Sequence, residues 1–227
     1  MDREKEKLKF IMDKSDSIFD RAISDLIQDY GDKFRESKAW KESTQFQIDE
    51  MTKSYENECA LALEDEYIDP PITSMGYIEA VHENNGAHFF EETWNEELIA
   101  IHEMQIIYSF KQIEISLKKF LLLLDSNTDL KSVQRWGDLK KAMNRHGVSI
   151  GSVYGYSNVN ALREVNNALK HSYEISENVK RLNISQFIGQ DYFCPSALNE
   201  FYTSILESRE RFLEGVRDLV EVKLGDA

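Results

Sequence analysis

The chain has 227 residues, 41% of them hydrophobic, with 10 Gly, 3 Pro and a formal net charge of −14. That length and composition support a substantial core in no more than two units and read as an ordinary folded protein rather than a disordered one. The negative balance excludes a protein that coats nucleic acid through a broad basic surface.

The N-terminal run Met1-Asp2-Arg3-Glu4-Lys5-Glu6-Lys7 lacks the apolar centre of a signal peptide, and the run Leu121–Leu124 is too short to span a bilayer. A cytoplasmic protein without membrane association is expected. Apolar residues from Leu8 to Tyr30 recur at three- and four-residue spacing, which predicts an amphipathic helix ending near Gly31. A second helical stretch is expected from about Trp40 to Tyr67, stopped by Pro70-Pro71, the best internal boundary. Glu83-Asn84-Asn85-Gly86 is turn-prone, and a long helix begins near Phe89 and continues to about Leu124. Beyond Leu98 that helix is apolar nearly all round, the pattern of a central helix.

Asp125-Ser126-Asn127-Thr128-Asp129 reads as a loop, followed by a short helix that Asp138 caps and Gly147 closes. Gly147–Ser157 reads as a surface loop leading to a helix capped by Asn158. Past Asn178 the chain reads as irregular until Pro195-Ser196, where a final long amphipathic helix starts. Strand patterning is weak throughout, so the fold class is all-α. Two regions follow, residues 1–86 as a helical hairpin with an acidic second half and residues 87–227 as a helical bundle.

Charge is segregated along this plan. From Glu42 to Glu103, 16 acids accompany one base, Lys53, for a local −15; from Lys131 to Arg181, nine bases accompany four acids, for +5. The acidic region 42–103 is a candidate dock for a basic protein partner, or a cover for the basic segment.

Within the basic segment, Leu162-Arg163-Glu164-Val165-Asn166-Asn167-Ala168-Leu169-Lys170-His171-Ser172 crowds chemistry-bearing residues together. At about 100° per residue on a continuous helix, Arg163, Asn167, Lys170, His171 and Glu174 fall on one stripe, while Leu162, Val165, Leu169 and Tyr173 face elsewhere, towards a core. Arg163 and Lys170 supply charge for phosphate oxygens, His171 supplies an imidazole for proton transfer, and Asn167 both donates and accepts. The plainer reading has Asn167 and His171 bonded to backbone or a neighbouring helix and the cations solvated.

Other candidates are weaker. His102-Glu103 lacks the second His of a metalloprotease motif, so His102 reads as part of a buried or semi-buried helix face. His82 and His88, near Glu91 and Glu92, match no metal-ligand spacing and read as solvated loop residues. Neither metal nor cofactor is expected. The two cysteines, Cys59 and Cys194, share no CxxC spacing and read as buried thiols. Trp136, Tyr154 and Tyr156 flank basic residues and read either as base-stacking groups or as packing anchors.

The run Asn167-Ala168-Leu169-Lys170-His171-Ser172, with Arg163 upstream, resembles the signature helix of the HEPN superfamily, the higher eukaryotes and prokaryotes nucleotide-binding domains. Glu114, embedded in a preceding hydrophobic helix, and a last amphipathic helix extend the resemblance from about Phe89 to the C-terminus. The resemblance implies an up-and-down helical bundle acting on RNA and, as in active relatives, a metal-independent endoribonuclease of a bacterial defence or toxin–antitoxin system, with its cleft between two subunits of a homodimer. By the same resemblance His171 transfers the proton, Arg163 and Asn167 hold the scissile phosphate, and Lys170, Asn166 and Ser172 bind RNA or phosphate. The sequence departs from the pattern at Asn166, where the superfamily's ribonucleases usually place Arg, and Arg163 lies eight residues before His171 rather than five. The alternative implied by that departure is a catalytically inactive HEPN module that binds a nucleotide, an RNA end or a partner protein.

Overall fold

The computed structural model describes residues 6–8, 18–62 and 75–225. Helix makes up 84% of them, and no strand is present among them. The helices are α1 (Ile18–Ala62), α2 (Met75–Leu124), α3 (Trp136–Arg145), α4 (Tyr156–Leu169), α5 (Glu177–Arg181) and α6 (Pro195–Gly225), with short 3-10 turns at Leu130–Val133, Ile150–Ser152 and Ser185–Phe187. The protein is an all-α helical bundle. Two compact units divide the chain, one comprising Met1–Ser24 with Ile99–Ala227 and the other Asp25–Leu98.

In the smaller unit, α1 and α2 run antiparallel: Tyr30 packs edge-on against Trp94, Lys41 pairs with Glu91 at 2.6 Å, and Asn84 donates to the carbonyl of Lys41 and the hydroxyl of Thr44. The facing positions Tyr30, Phe34, Ser37, Lys41, Thr44 and Ile48 step by four and three residues, as do Ala80, Asn84, Ala87, Glu91, Trp94 and Leu98. That is the heptad spacing of a two-helix seam. Ser37, Thr44, Ala80 and Ala87 are buried in it, so the centre of this seam is small or polar.

Two expected breaks are absent. The helix predicted to end near Gly31 continues without interruption, and Gly31 lies inside α1. A mid-helix glycine costs only about 1 kcal/mol relative to alanine; the Lys33–Asp29 pair and the Tyr30–Trp94 contact lie immediately beside it. Asn84-Asn85-Gly86, read as a turn, is likewise inside α2, which starts at Met75 rather than near Phe89. The bonds from Asn84 across the seam occupy the amide that a turn would use, and Gly86 accommodates the ring of Trp40, whose Cη2 lies 3.7 Å from where a Cβ would stand. A division at residues 86 and 87 therefore falls within a helix, and the compact units divide elsewhere. Pro70-Pro71, the boundary expected from sequence, lies outside the described residues.

In the larger unit, α2 is central as expected. From Ile99 to Leu124 only Met104, Lys111 and Lys119 are exposed. Ile106, Ile113, Leu117, Phe120 and Leu121 are fully buried with Leu139 and Met143 of α3, Leu162 and Val165 of α4, and Leu198, Phe212 and Val216 of α6. Each such side chain contributes about 1.5–3 kcal/mol by leaving water. Gly147 closes α3 with φ 75° as predicted, but the N-cap is Arg135, and Asp138 sits in the first turn, where its charge favours the positive end of the helix. The final helix begins at Pro195, as expected. The stretch between Asn178 and Pro195, expected to be irregular, holds most of α5 and one 3-10 turn.

Candidate functional site

The helix of the cluster, α4, packs chiefly against α6. Its N-cap is Gly155 at φ 82°, not Asn158; Asn158 lies one turn inside and donates from Nδ2 to Ser208 Oγ of α6 at 2.7 Å. The helix stops at Leu169. Backbone N–H groups of both His171 and Ser172 donate to the carbonyl of Ala168 at 3.0 Å, so His171 stands in a turn beyond the helix. The stripe expected for Arg163, Asn167, Lys170, His171 and Glu174 therefore ends at Lys170, the C-cap. Tyr173, expected on the core face, is exposed, because the chain has left helical geometry.

This turn is anchored. Ile175 donates its N–H to Asp191 O at 2.8 Å and Phe193 to Tyr173 O at 2.9 Å, making an antiparallel bridge between Glu174 and Tyr192. Ser172 Oγ accepts from the N–H of Glu174, so the serine hydroxyl braces the turn. Ile175 and Phe193 are buried beneath it.

Asn167, Lys170, His171 and Ser172 are exposed, and among the described residues the side chains of Lys170 and His171 make no hydrogen bond or ion pair. Arg163 is half-buried and engaged with the carboxylate of Glu164, and among the described residues it makes no hydrogen bond to His171. Asn166 is 1% exposed; its Nδ2 donates to Asn167 Oδ1 at 3.5 Å, and among the described residues its own Oδ1 has no partner. Arg163 Nε, one turn away on α4, is also buried with no partner among the described residues. A buried donor and a buried acceptor thus stand unsatisfied within four residues, each costing about 1–3 kcal/mol. Glu114, the embedded acid, is half-buried and pairs with Lys111 at 3.8 Å.

No family model matches the chain, and neither a curated protein nor a solved structure matches it. The residues themselves therefore carry the functional argument.

A cleft of about 420 Å³ opens at the other end of α4, lined by Gly151, Tyr154, Tyr156, Ser157, Asn158 and Ser208 among others. Tyr154 is 67% exposed with the guanidinium of Arg211 over its ring, whereas Tyr156 is half-buried and holds Lys140 at 3.1 Å through its hydroxyl. Trp136 is a packing anchor, buried against Phe110. His102 is buried as expected, hydrogen-bonded with Gln105 at 3.3 Å, and burial pushes its imidazole below the ordinary value of 6.5. Burial also raises the carboxyl of Glu103. His82 and His88 are exposed but lie on α2 rather than in a loop, and His88 faces Glu92 at 3.2 Å. Cys194 is a half-buried free thiol, more accessible than expected; the side chain of Cys59 lies outside the described residues. Among the described residues no helix is long and apolar enough to cross a membrane.

Sequence reading missed one buried polar network. Arg209 of α6, 6% exposed, donates to Ser109 Oγ of α2 at 3.2 Å, and that hydroxyl in turn donates to the phenol of Tyr202. The available signal was an arginine on the apolar stripe of the last helix, four residues after Ile205 and three before Phe212.

Proposed function

We propose that this protein is a divergent HEPN-like module that binds RNA or a nucleotide through phosphate contacts at the end of α4, and that a single chain does not cleave its ligand. The carrying observation is the contrast between Asn166 and its neighbours. The position where the superfamily's ribonucleases place Arg holds a neutral amide buried at 1% exposure, while Asn167, Lys170 and His171 stand in solvent beside it. Lys170 offers a mobile cation to phosphate oxygens, Asn167 an amide, and His171 a ring that donates when neutral or charged. The Arg163 guanidinium, already neutralised by Glu164, contributes less charge to such a site.

The second reading is a metal-independent endoribonuclease of a bacterial defence or toxin–antitoxin system, acting as a homodimer. The exposed imidazole of His171 on an anchored turn favours it, since a second subunit can approach that ring and complete the acid–base pair.

Fluorescent single-stranded RNA titrated in EDTA separates the two. Binding without cleavage, weakened several-fold by Lys170→Ala and with a shallower salt slope, supports the binding module. EDTA-resistant cleavage abolished by His171→Ala, in a protein that stays folded, selects the ribonuclease. Absence of binding at low salt overturns both.

A further inference from the structure

In the paired-helix unit Asp25–Leu98 the centre of the seam is small or polar, Tyr30 and Trp94 pack on each other within it, and three other large aromatics stand outside. Its seam buries Ser37, Thr44, Ala80 and Ala87, whereas Trp40 is 40% exposed, Phe90 43% and Phe89 64%. These rings form one continuous patch. Trp40 stacks at a tilt on Phe90 with centroids 6.3 Å apart, and Phe89 meets Phe90 edge-on at 5.8 Å. Exposed contiguous aromatics of this kind mark interaction surfaces, because Trp and Phe bury large areas at small entropic cost.

Charge identifies the chemistry of the occupant. Asp25–Leu98 contains 19 acids and five bases, so the whole formal charge of −14 resides in this unit and the rest of the chain is balanced. The acids also sit around the patch. At about 100° per residue, Glu83 and Glu97 lie within about 20° of Phe90, two turns before and after it, and Glu36 lies within about 40° of Trp40 one turn away. All three carboxylates are exposed. A second copy of this chain would bring −14 against −14 at the same face, which disfavours self-association there.

We infer that the face centred on Trp40 and Phe90 docks a protein partner presenting an amphipathic helix with a basic rim and an apolar stripe. The apolar stripe covers the rings, and the basic rim meets Glu36, Glu83 and Glu97. This inference is independent of the phosphate site on α4.

The test titrates the full chain with two synthetic peptides of identical Lys/Leu composition, one patterned with helical period and one scrambled. The patterned peptide is expected to bind at least about tenfold tighter, a difference of about 1.4 kcal/mol. Phe90→Ser and Phe89→Ser should each remove most of that advantage with helicity retained; Phe89, the more exposed ring, keeps the test decisive should Phe90→Ser lose helicity. Glu83→Gln with Glu97→Gln should lower affinity for both peptides and flatten its salt dependence. Equal binding of the two peptides, or an advantage untouched by both Phe variants, overturns the inference. So does sedimentation showing a dimer that Phe90→Ser dissolves, which assigns the face to a second copy.

Discussion

A Cβ placed on Gly155 would stand 2.3 Å from the carbonyl oxygen of Ser208, so the first turn of α4 lies directly against the backbone of α6. Gly155 also has φ 82°, a region that L side chains adopt at a cost of about 1–2 kcal/mol. Strain and collision act together here. Gly155→Ala is expected to destabilise the protein by about 2 kcal/mol or more. Urea unfolding measures it, and an unchanged midpoint would show that the two helices are not in contact at that point.

Asn166 supports a paired expectation. Its Oδ1 is buried without a partner, so Asn166→Leu, which replaces the amide with an apolar group of similar volume, should stabilise the fold by about 1 kcal/mol. Asn166→Arg introduces the residue that ribonucleases of the HEPN superfamily usually carry at the position this one resembles, but it buries a cation and should cost about 3 kcal/mol or more. Thermal melts of both variants decide the matter. An arginine variant that folds normally and gains RNA cleavage would show that this position faces the ligand, against the binding-only reading.

Lys41 and Glu91 face each other across the α1–α2 seam at 2.6 Å, with side chains 36% and 20% exposed. Partial exposure limits the pair to a coupling of about 0.5–1 kcal/mol. A double-mutant cycle with Lys41→Met and Glu91→Gln should return that value at low salt and less at high salt. Zero coupling at low salt would mean that the seam is held without this ion pair, by the Tyr30–Trp94 contact, the amide of Asn84 and the buried Ser37, Thr44, Ala80 and Ala87.

The pH dependence of stability should carry the mark of His102. Because burial lowers its pKa below 6.5, the unfolded chain takes up a proton that the folded chain refuses. Its contribution is intact above about 6.5 and is lost as pH falls below that value. Glu103 acts with the opposite sign: its raised pKa favours the folded state below the ordinary 4.5, and that advantage disappears as pH rises through the folded value. Melting temperature is therefore expected to drop between about pH 7 and pH 5.5, and His102→Gln should flatten the drop. The same slope in wild type and variant would remove His102 as its source.

Periodicity in the sequence determined that the chain is helical, that α2 is central beyond Leu98 and that Pro195 opens the last helix, because apolar spacing is a local property that burial reads directly. It did not determine where helices end. Gly31 and Gly86 are breakers by propensity, but each sits in a helix held by contacts from residues about sixty or forty-six positions away, Trp94 beside Tyr30 and Trp40 over Gly86. The cluster on α4 divides in the same way. Its composition was legible as chemistry, and the turn that carries His171 off the helix depends on Asp191 and Phe193 pairing with Ile175 and Tyr173. Lys170 already lay on the polar stripe, but only the tertiary structure decided that Asn166 is buried, since at about 40° from Leu162 it sits at the edge of the core face and its burial depends on how closely α6 packs on α4.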